Sequence, residues 1–326
     1  MPQPIPTVSI TVPLLSCLLL LLSLGCQTVT TAKPLAGPTV RFLGSAQDGG
    51  FPHAACLCER CERAISRPES ARKVASLALL DGERSYLIDA TPDIREQLYM
   101  LRDRSAVQGR VNRKPLDGIF LTHAHLGHYT GLAFFGFEAI HAQAIPLHAT
   151  DAMLEFLEGN GPWSQLFELE NLKAERLAPS STIRLSESLS VTAIKVPHRD
   201  EFADTVGFLI AGPTKRLFYV PDTDGWDGWD EPIEEWLLQH QVDILVADGT
   251  FYSLEELPGR EVSSIGHPLI EDSMKRLRGL VEAGSVEVYF THFNHSNPLL
   301  NADGETEDHI RAAGFGLIED GLEIEL

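Results

Sequence analysis

A chain of 326 residues is long enough for one large domain or two small ones, and it buries a substantial core. Its 44% apolar share is that of an ordinary globular protein. A formal net charge of −20 excludes the basic footprint of a nucleic-acid binder, so no nucleic-acid partner is expected. An anionic small-molecule substrate stays open, because a bound cation dominates its local field.

The first 25 residues, "MPQPIPTVSITVPLLSCLLLLLSLG", carry no charged side chain, and Leu14 to Leu24 is nearly all leucine. The run falls short of the about 20 residues a spanning helix needs and fits the apolar region of a signal peptide. "SLGC" places Cys26 after Gly25, similar to the lipobox of bacterial lipoproteins, although Ser23 stands where that box prefers leucine. The expectation is an exported protein held to the membrane by a lipid on Cys26 and facing the periplasm or cell exterior. Residues 27–39, polar and small with two prolines, read as a flexible tether, and the folded domain is expected over 40–326.

Next come Cys56, Cys58 and Cys61 in "CLCERC". Three closely spaced cysteines suit a shared metal better than disulfides, and a tetrahedral zinc needs a fourth ligand from elsewhere. Short β-rich runs then alternate with amphipathic stretches: "SYLIDA", "LDGIFLTH", "SLSVTAIKVPH", "KRLFYVPD", "VDILVADG" and "VEVYFTH", separated by "PDIREQLYMLRD", "EPIEEWLLQH" and "HPLIEDSMKRLRGLVEAG". The alternation predicts an α/β layered domain. At or just past the strand ends stand His123, His198, Asp222, Asp248 and His292, and strand ends make rigid platforms for a site. "FLTHAHLGHYTGL" adds His125 and His128 within six residues of His123. Histidine is the commonest neutral nitrogen ligand for metals. His267, directly before Pro268, is expected at a helix N-terminus, where the dipole disfavours its protonated form. Asp248 reads equally as a buttress for a ligand histidine or as a turn cap, and Asp48 and His53 have no decided role.

"THAHLGH" resembles the HxHxDH signature of the metallo-β-lactamase superfamily, with Gly127 where the aspartate belongs. "VPHRDEF", "YVPDTDGW" and "FTHFNHSNP" follow in that superfamily's order. "GSAQDGGFPHAACLCERC" and "YLIDATPDIREQL" are similar to its branch containing the pyrroloquinoline-quinone biosynthesis protein B and the cyclic phosphodiesterase of phosphonate breakdown. The resemblance implies an αββα sandwich with one or two divalent ions (zinc, manganese or iron) at one sheet edge. It places one ion on His123, His125 and His198 with Asp222 bridging, and a second on His128, His292 and Asp222. With Gly127 lacking a side chain, that second site is expected to be one ligand short. It further implies a structural zinc on Cys56, Cys58, Cys61 and His295, and a histidine facing the active site in the stretch of His267.

The implied activity is hydrolysis of a small ester or phosphodiester-like substrate by a metal-activated water, with Asp222 orienting the nucleophile and His267 donating a proton or contacting the substrate. Two alternatives stay open: an iron-dependent oxygenase in or near pyrroloquinoline quinone biosynthesis, and a non-catalytic, membrane-tethered metal or ligand binder. Trp163, in "GNGPWSQLFELENLKAERL", is a candidate lid residue.

Overall fold

The structure, a computed structural model, describes residues 37–102, 113–259 and 266–326. The leader, Cys26 and most of the tether lie outside the described residues. Among those described, no helix is long and apolar enough to cross a membrane.

In chain order the elements are β1 (Thr39–Gly44), α1 (Glu59–Ser66), β2 (Ser76–Asp81), β3 (Arg84–Ile88), α2 (Ile94–Met100), β4 (Gly118–Phe120), α3 (Leu126–Tyr129), β5 (Ile145–Ala149), α4 (Asp151–Gly159), α5 (Ser164–Glu168), β6 (Leu172–Arg176) and β7 (Thr182–Arg184). They continue with β8 (Ser190–Lys195), β9 (Val206–Ala211), β10 (Arg216–Val220), α6 (Ile233–Gln239), β11 (Ile244–Asp248), α7 (Ile270–Glu282), β12 (Glu287–Thr291), α8 (Glu305–Ala312), β13 (Gly316–Leu317) and β14 (Glu323–Glu325). Among the described residues two seven-stranded mixed sheets result, ordered β14-β1-β2-β3-β4-β5-β6 and β13-β12-β11-β10-β9-β8-β7.

Strand periodicity explains the layering. Successive side chains of a strand point to opposite faces, and here both faces are apolar. On β2, Leu77 and Leu79 join the core between the sheets, while Ala78 and Leu80 face α2, α4 and α5. On β10, Leu217 and Tyr219 point inward and Phe218 and Val220 meet α1, α6 and α7. Burying each Leu or Val contributes about 1.5–3 kcal/mol, so three apolar layers bind helix, sheet, sheet and helix into the expected αββα sandwich. Of the amphipathic stretches, "PDIREQLYMLRD" forms α2, "EPIEEWLLQH" forms α6 and "HPLIEDSMKRLRGLVEAG" forms α7.

The parallel trio β10, β11 and β12 sets the stage for the site. Val220 pairs with Ala247 and Asp248 with Thr291, so the three carboxyl ends lie side by side. Residues at or just past them, Asp222, Asp248 and His292, therefore emerge at one edge. Across the sandwich, β3 and β4 pair in parallel with Ile88 opposite Phe120, which brings Asp89 and the His123 segment to the same edge.

Candidate metal centre

Asp222 is the hub. Its Oδ1 lies 3.1 Å from His198 Nε2, and its Oδ2 lies 3.3 Å from His123 Nε2 and 3.9 Å from His125 Nδ1. His198 Nε2 and His125 Nδ1 are 3.3 Å apart. Metal bonds of about 2.0–2.1 Å at tetrahedral angles put donors about 3.3–3.4 Å apart, close to most of these spacings. On its other flank, Asp222 Oδ2 lies 3.7 Å from His292 Nε2 and 3.9 Å from His128 Nε2.

Apart from the His198–His125 contact, several of these atoms are close without being hydrogen-bonded. His123 Nε2, His128 Nε2, His292 Nε2 and Asp222 Oδ1 are all buried and without a hydrogen-bond partner. Buried polar atoms are otherwise nearly always paired, because leaving one unsatisfied costs about 1–3 kcal/mol. A convergent set of orphaned nitrogen and carboxylate donors fits a divalent cation.

The outer ring nitrogens show how the donors are aimed. Asp89 accepts from Thr122 N–H at 2.8 Å and from its hydroxyl at 2.9 Å, so the Thr122 oxygen is left to accept from His123 Nδ1 at 2.9 Å. The same carboxylate meets His128 Nδ1 at 2.8 Å. Asp248 repeats the device: the Thr250 hydroxyl donates to it at 2.7 Å and lies 2.9 Å from His292 Nδ1. Asp224 stands 3.3 Å from His198 Nδ1, and Glu201 3.1 Å from His125 Nε2. Fixing the proton on the outer nitrogen turns the lone pair of the other inward. Asp89 and His292 both adopt left-handed backbone, with φ of 65° and 66°. Such positions cost about 1–3 kcal/mol each and persist where surrounding structure dictates them.

Charge follows this layout. Burial would raise the Asp222 carboxyl, yet His292, His267, His123 and His125 hold it well below the usual carboxylate range. Burial, with His128 alongside, pushes His123 well down despite Asp222. His128 goes the other way: burial opposes its charge, but Asp89 and Asp48 raise it well above the ordinary histidine value.

His267 departs from its expected setting. Helix α7 begins at Ile270 with Leu269 as its N-cap, so Pro268 is not the first helical residue and the dipole does not govern the imidazole. Its Nδ1 instead lies 2.8 Å from Asp248 Oδ2 and 3.2 Å from Asp222 Oδ1. Burial would depress its pKa, but those carboxylates raise it well above the ordinary value and favour the protonated form. Trp163, the candidate lid residue, packs its ring on Tyr129 at 5.0 Å and on Phe156 at 6.5 Å.

A carboxylate from another segment stands beside Gly127. Asp48, from the loop after β1, points its Oδ1 to 3.4 Å from His128 Nε2 and 3.9 Å from His292 Nε2. Sequence reasoning left Asp48 undecided and passed over Asp89, Asp224 and Glu201. Asp89 had a signal: "YLIDA" follows the same strand-then-acid pattern as "YVPD" and "LVADG".

A second cluster lies nearby. Cys56, Cys58 and Cys61 Sγ stand 3.4, 3.9 and 3.7 Å from His295 Nδ1. With about 2.3 Å Zn–S bonds these spacings suit a closed tetrahedral zinc site. Burial pushes the Cys61 thiol up to about 12, so a cation must displace its proton.

Comparison with known proteins agrees with this fold. The family model of the beta-lactamase superfamily domain matches residues 84–293. The coenzyme PQQ synthesis protein B of Methylobacterium sp. (strain 4-46) is 28% identical over 87% of this chain and 99% of its own length; that of Cupriavidus necator is 29% identical over 88% and 99%. The crystal structure of Zn(2+)-bound PqqB from Methylobacterium extorquens superposes with a TM-score of 0.71 at 26% identity, covering 88% of this chain and all of that one. A diphosphatase of the PhnP family shares the fold, at TM-score 0.61 and 22% identity over 89% of this chain and 97% of its own. With its two sheets, its strand-end histidines and a match over more than half its length, the chain belongs to the beta-lactamase superfamily, in the PqqB-like branch of the metallo-β-lactamase fold.

Proposed function

We propose that the protein is a metal-dependent hydrolase of a small ester or phosphodiester-like substrate. The observation that carries this reading is the convergence of orphaned, outer-shell-oriented donors on the Asp222 carboxylate. His123, His125, His198 and Asp222 would hold a divalent cation, which when bound would supply a water of pKa lowered toward about 7 and charge stabilisation at a carbonyl or phosphoryl oxygen. Asp222, kept ionised by its histidine ring, orients the nucleophilic water. His267, protonated against Asp248, donates to the leaving group. Glu201, half-exposed, holds His125 from the solvent side. Export and a lipid anchor at Cys26 belong to the same proposal.

The test is turnover of an ester and phosphodiester panel by the metal-loaded protein and its His125→Ala variant. Loss of about a thousandfold in kcat/KM is expected; unchanged turnover overturns the reading. The similarity to coenzyme PQQ synthesis protein B supports a second reading, a step of coenzyme PQQ synthesis. Iron content with oxygen uptake favours an oxidative step of that kind, and zinc or manganese without uptake favours hydrolysis.

A further inference from the structure

Position 127 and position 48 compete for one volume. A Cβ built on Gly127 falls 2.1 Å from Asp48 Oδ1 and 2.8 Å from Asp48 Cα, far inside any tolerated contact. The space that a side chain at 127 would enter is thus taken by a carboxylate from a different segment. Asp48 Oδ1 is buried and has no hydrogen-bond partner, like the histidine nitrogens it faces. We propose that Asp48 supplies the carboxylate donor of a second cation site with His128, His292 and Asp222, and that Gly127 is the clearance this substitution in space requires.

The loop is built to deliver that oxygen. Gln47 N–H donates to Phe293 O at 2.9 Å, and Phe293 N–H donates to Ser45 O at 2.8 Å, so the Asp48 loop is stitched to the residue following His292. Gly50 N–H closes the turn onto Gln47 O at 2.7 Å. The cysteine cluster fastens the same two segments further out: Cys56, Cys58 and Cys61 continue the Asp48 loop, and His295 lies three residues past His292. His53, whose ring sits over His295 with centroids 4.4 Å apart, also packs on Gly49. Both ends of the Asp48–His292 pairing are therefore held, and two carboxylate oxygens with two imidazoles form a donor set suited to zinc or manganese.

The assignment rests on the reading that cations occupy this cluster, and not on what is hydrolysed there. Its test is manganese titration of the metal-depleted full chain, followed by mass-spectrometric metal content and electron paramagnetic resonance, with cysteine-site metal counted separately. The wild type is expected to take up about two manganese equivalents in the histidine cluster, magnetically coupled as in two-metal sites about 3.5–4 Å apart. Asp48→Ala should lose about one equivalent and the coupling, with the second ion bound at least about 100-fold more weakly, since loss of an outer-shell partner alone costs about 10–100-fold. Gly127→Ala should do the same by displacing Asp48, and the double variant should be no worse than either, because both act on one donor. Should Gly127→Ala fail to fold, the isosteric Asp48→Asn carries the test, with weakened second-ion binding and retained cysteine-site metal. Full wild-type affinity for the second ion in Asp48→Ala or Asp48→Asn overturns the assignment, as does a single cluster ion in the wild type. Two ions without turnover would defeat the hydrolase reading alone, whereas no cluster metal at all would defeat both.

Discussion

The cysteine cluster and the histidine–aspartate cluster sit a few residues apart along the chain yet are built on opposite plans. Three of the four cysteine-cluster donors come from a six-residue stretch, and only Cys61 among them is buried. Its donors are three sulfurs and one imidazole nitrogen, a set that would close the coordination sphere of a metal and leave no place for a reactant. The histidine cluster draws its donors from segments following β1, β4, β8, β10 and β12, and its shared carboxylate is 2% exposed. Behind its imidazoles stand further acids, Asp89, Asp224, Asp248 and Glu201; the cysteine cluster instead packs against apolar core side chains and the His53 ring, with short local backbone N–H contacts to its sulfurs. A site that merely ties segments together needs few residues, whereas one that performs chemistry needs aim, and aim is supplied from outside the coordinating ring.

That contrast can be broken at its outer layer first. Asp89→Asn removes the charge that faces His128 Nδ1 and orders Thr122 beneath His123, so cluster metal affinity should fall about 10–100-fold. Isothermal titration of the metal-depleted protein checks this, and cysteine-site zinc should be untouched. Cys61→Ser gives a smaller effect of the opposite kind. It should release the structural metal and lower the melting temperature by several degrees, with the first cluster ion retained and the second weakened only several-fold through the loosened Asp48 loop. Equal loss from both clusters would erase the distinction drawn here.

The smallest effect concerns stability away from both metals. Burial raises the Asp320 carboxyl, although Lys73, Arg72 and Ser45 pull it back. An acid whose folded pKa exceeds its unfolded one adds stability in acid, and that contribution is lost as pH rises through the folded value. Asp320→Asn keeps an acceptor for Lys73 N–H, which lies 2.9 Å from Oδ2. The variant should therefore lose less stability than the wild type between acid and neutral pH, read as the difference in denaturant midpoint.

The strand-end pattern was legible in the sequence because alternating apolar runs terminate in ligand-type residues, and parallel pairing of β10, β11 and β12 turns that repetition into proximity. The layers were legible for the same reason, since strands apolar on both faces demand cover on both. Asp48 was not. Its loop is rich in glycine and reads as a turn, and only the approach of residues 45–47 to Phe293 reveals where the carboxylate points. Gly127 misled for a related reason: along the chain it is a missing ligand, while in space it is clearance for one. His267 was placed in the correct stretch, but its surroundings depended on two acids that no local pattern connects to it.

The most direct measurement is anomalous-difference crystallography on crystals loaded with manganese and zinc, collected at each metal's absorption edge. A strong peak among His123, His125, His198 and Asp222, with a second beside Asp48, His128 and His292, is the expected result. Anomalous density confined to Cys56, Cys58, Cys61 and His295 would contradict it.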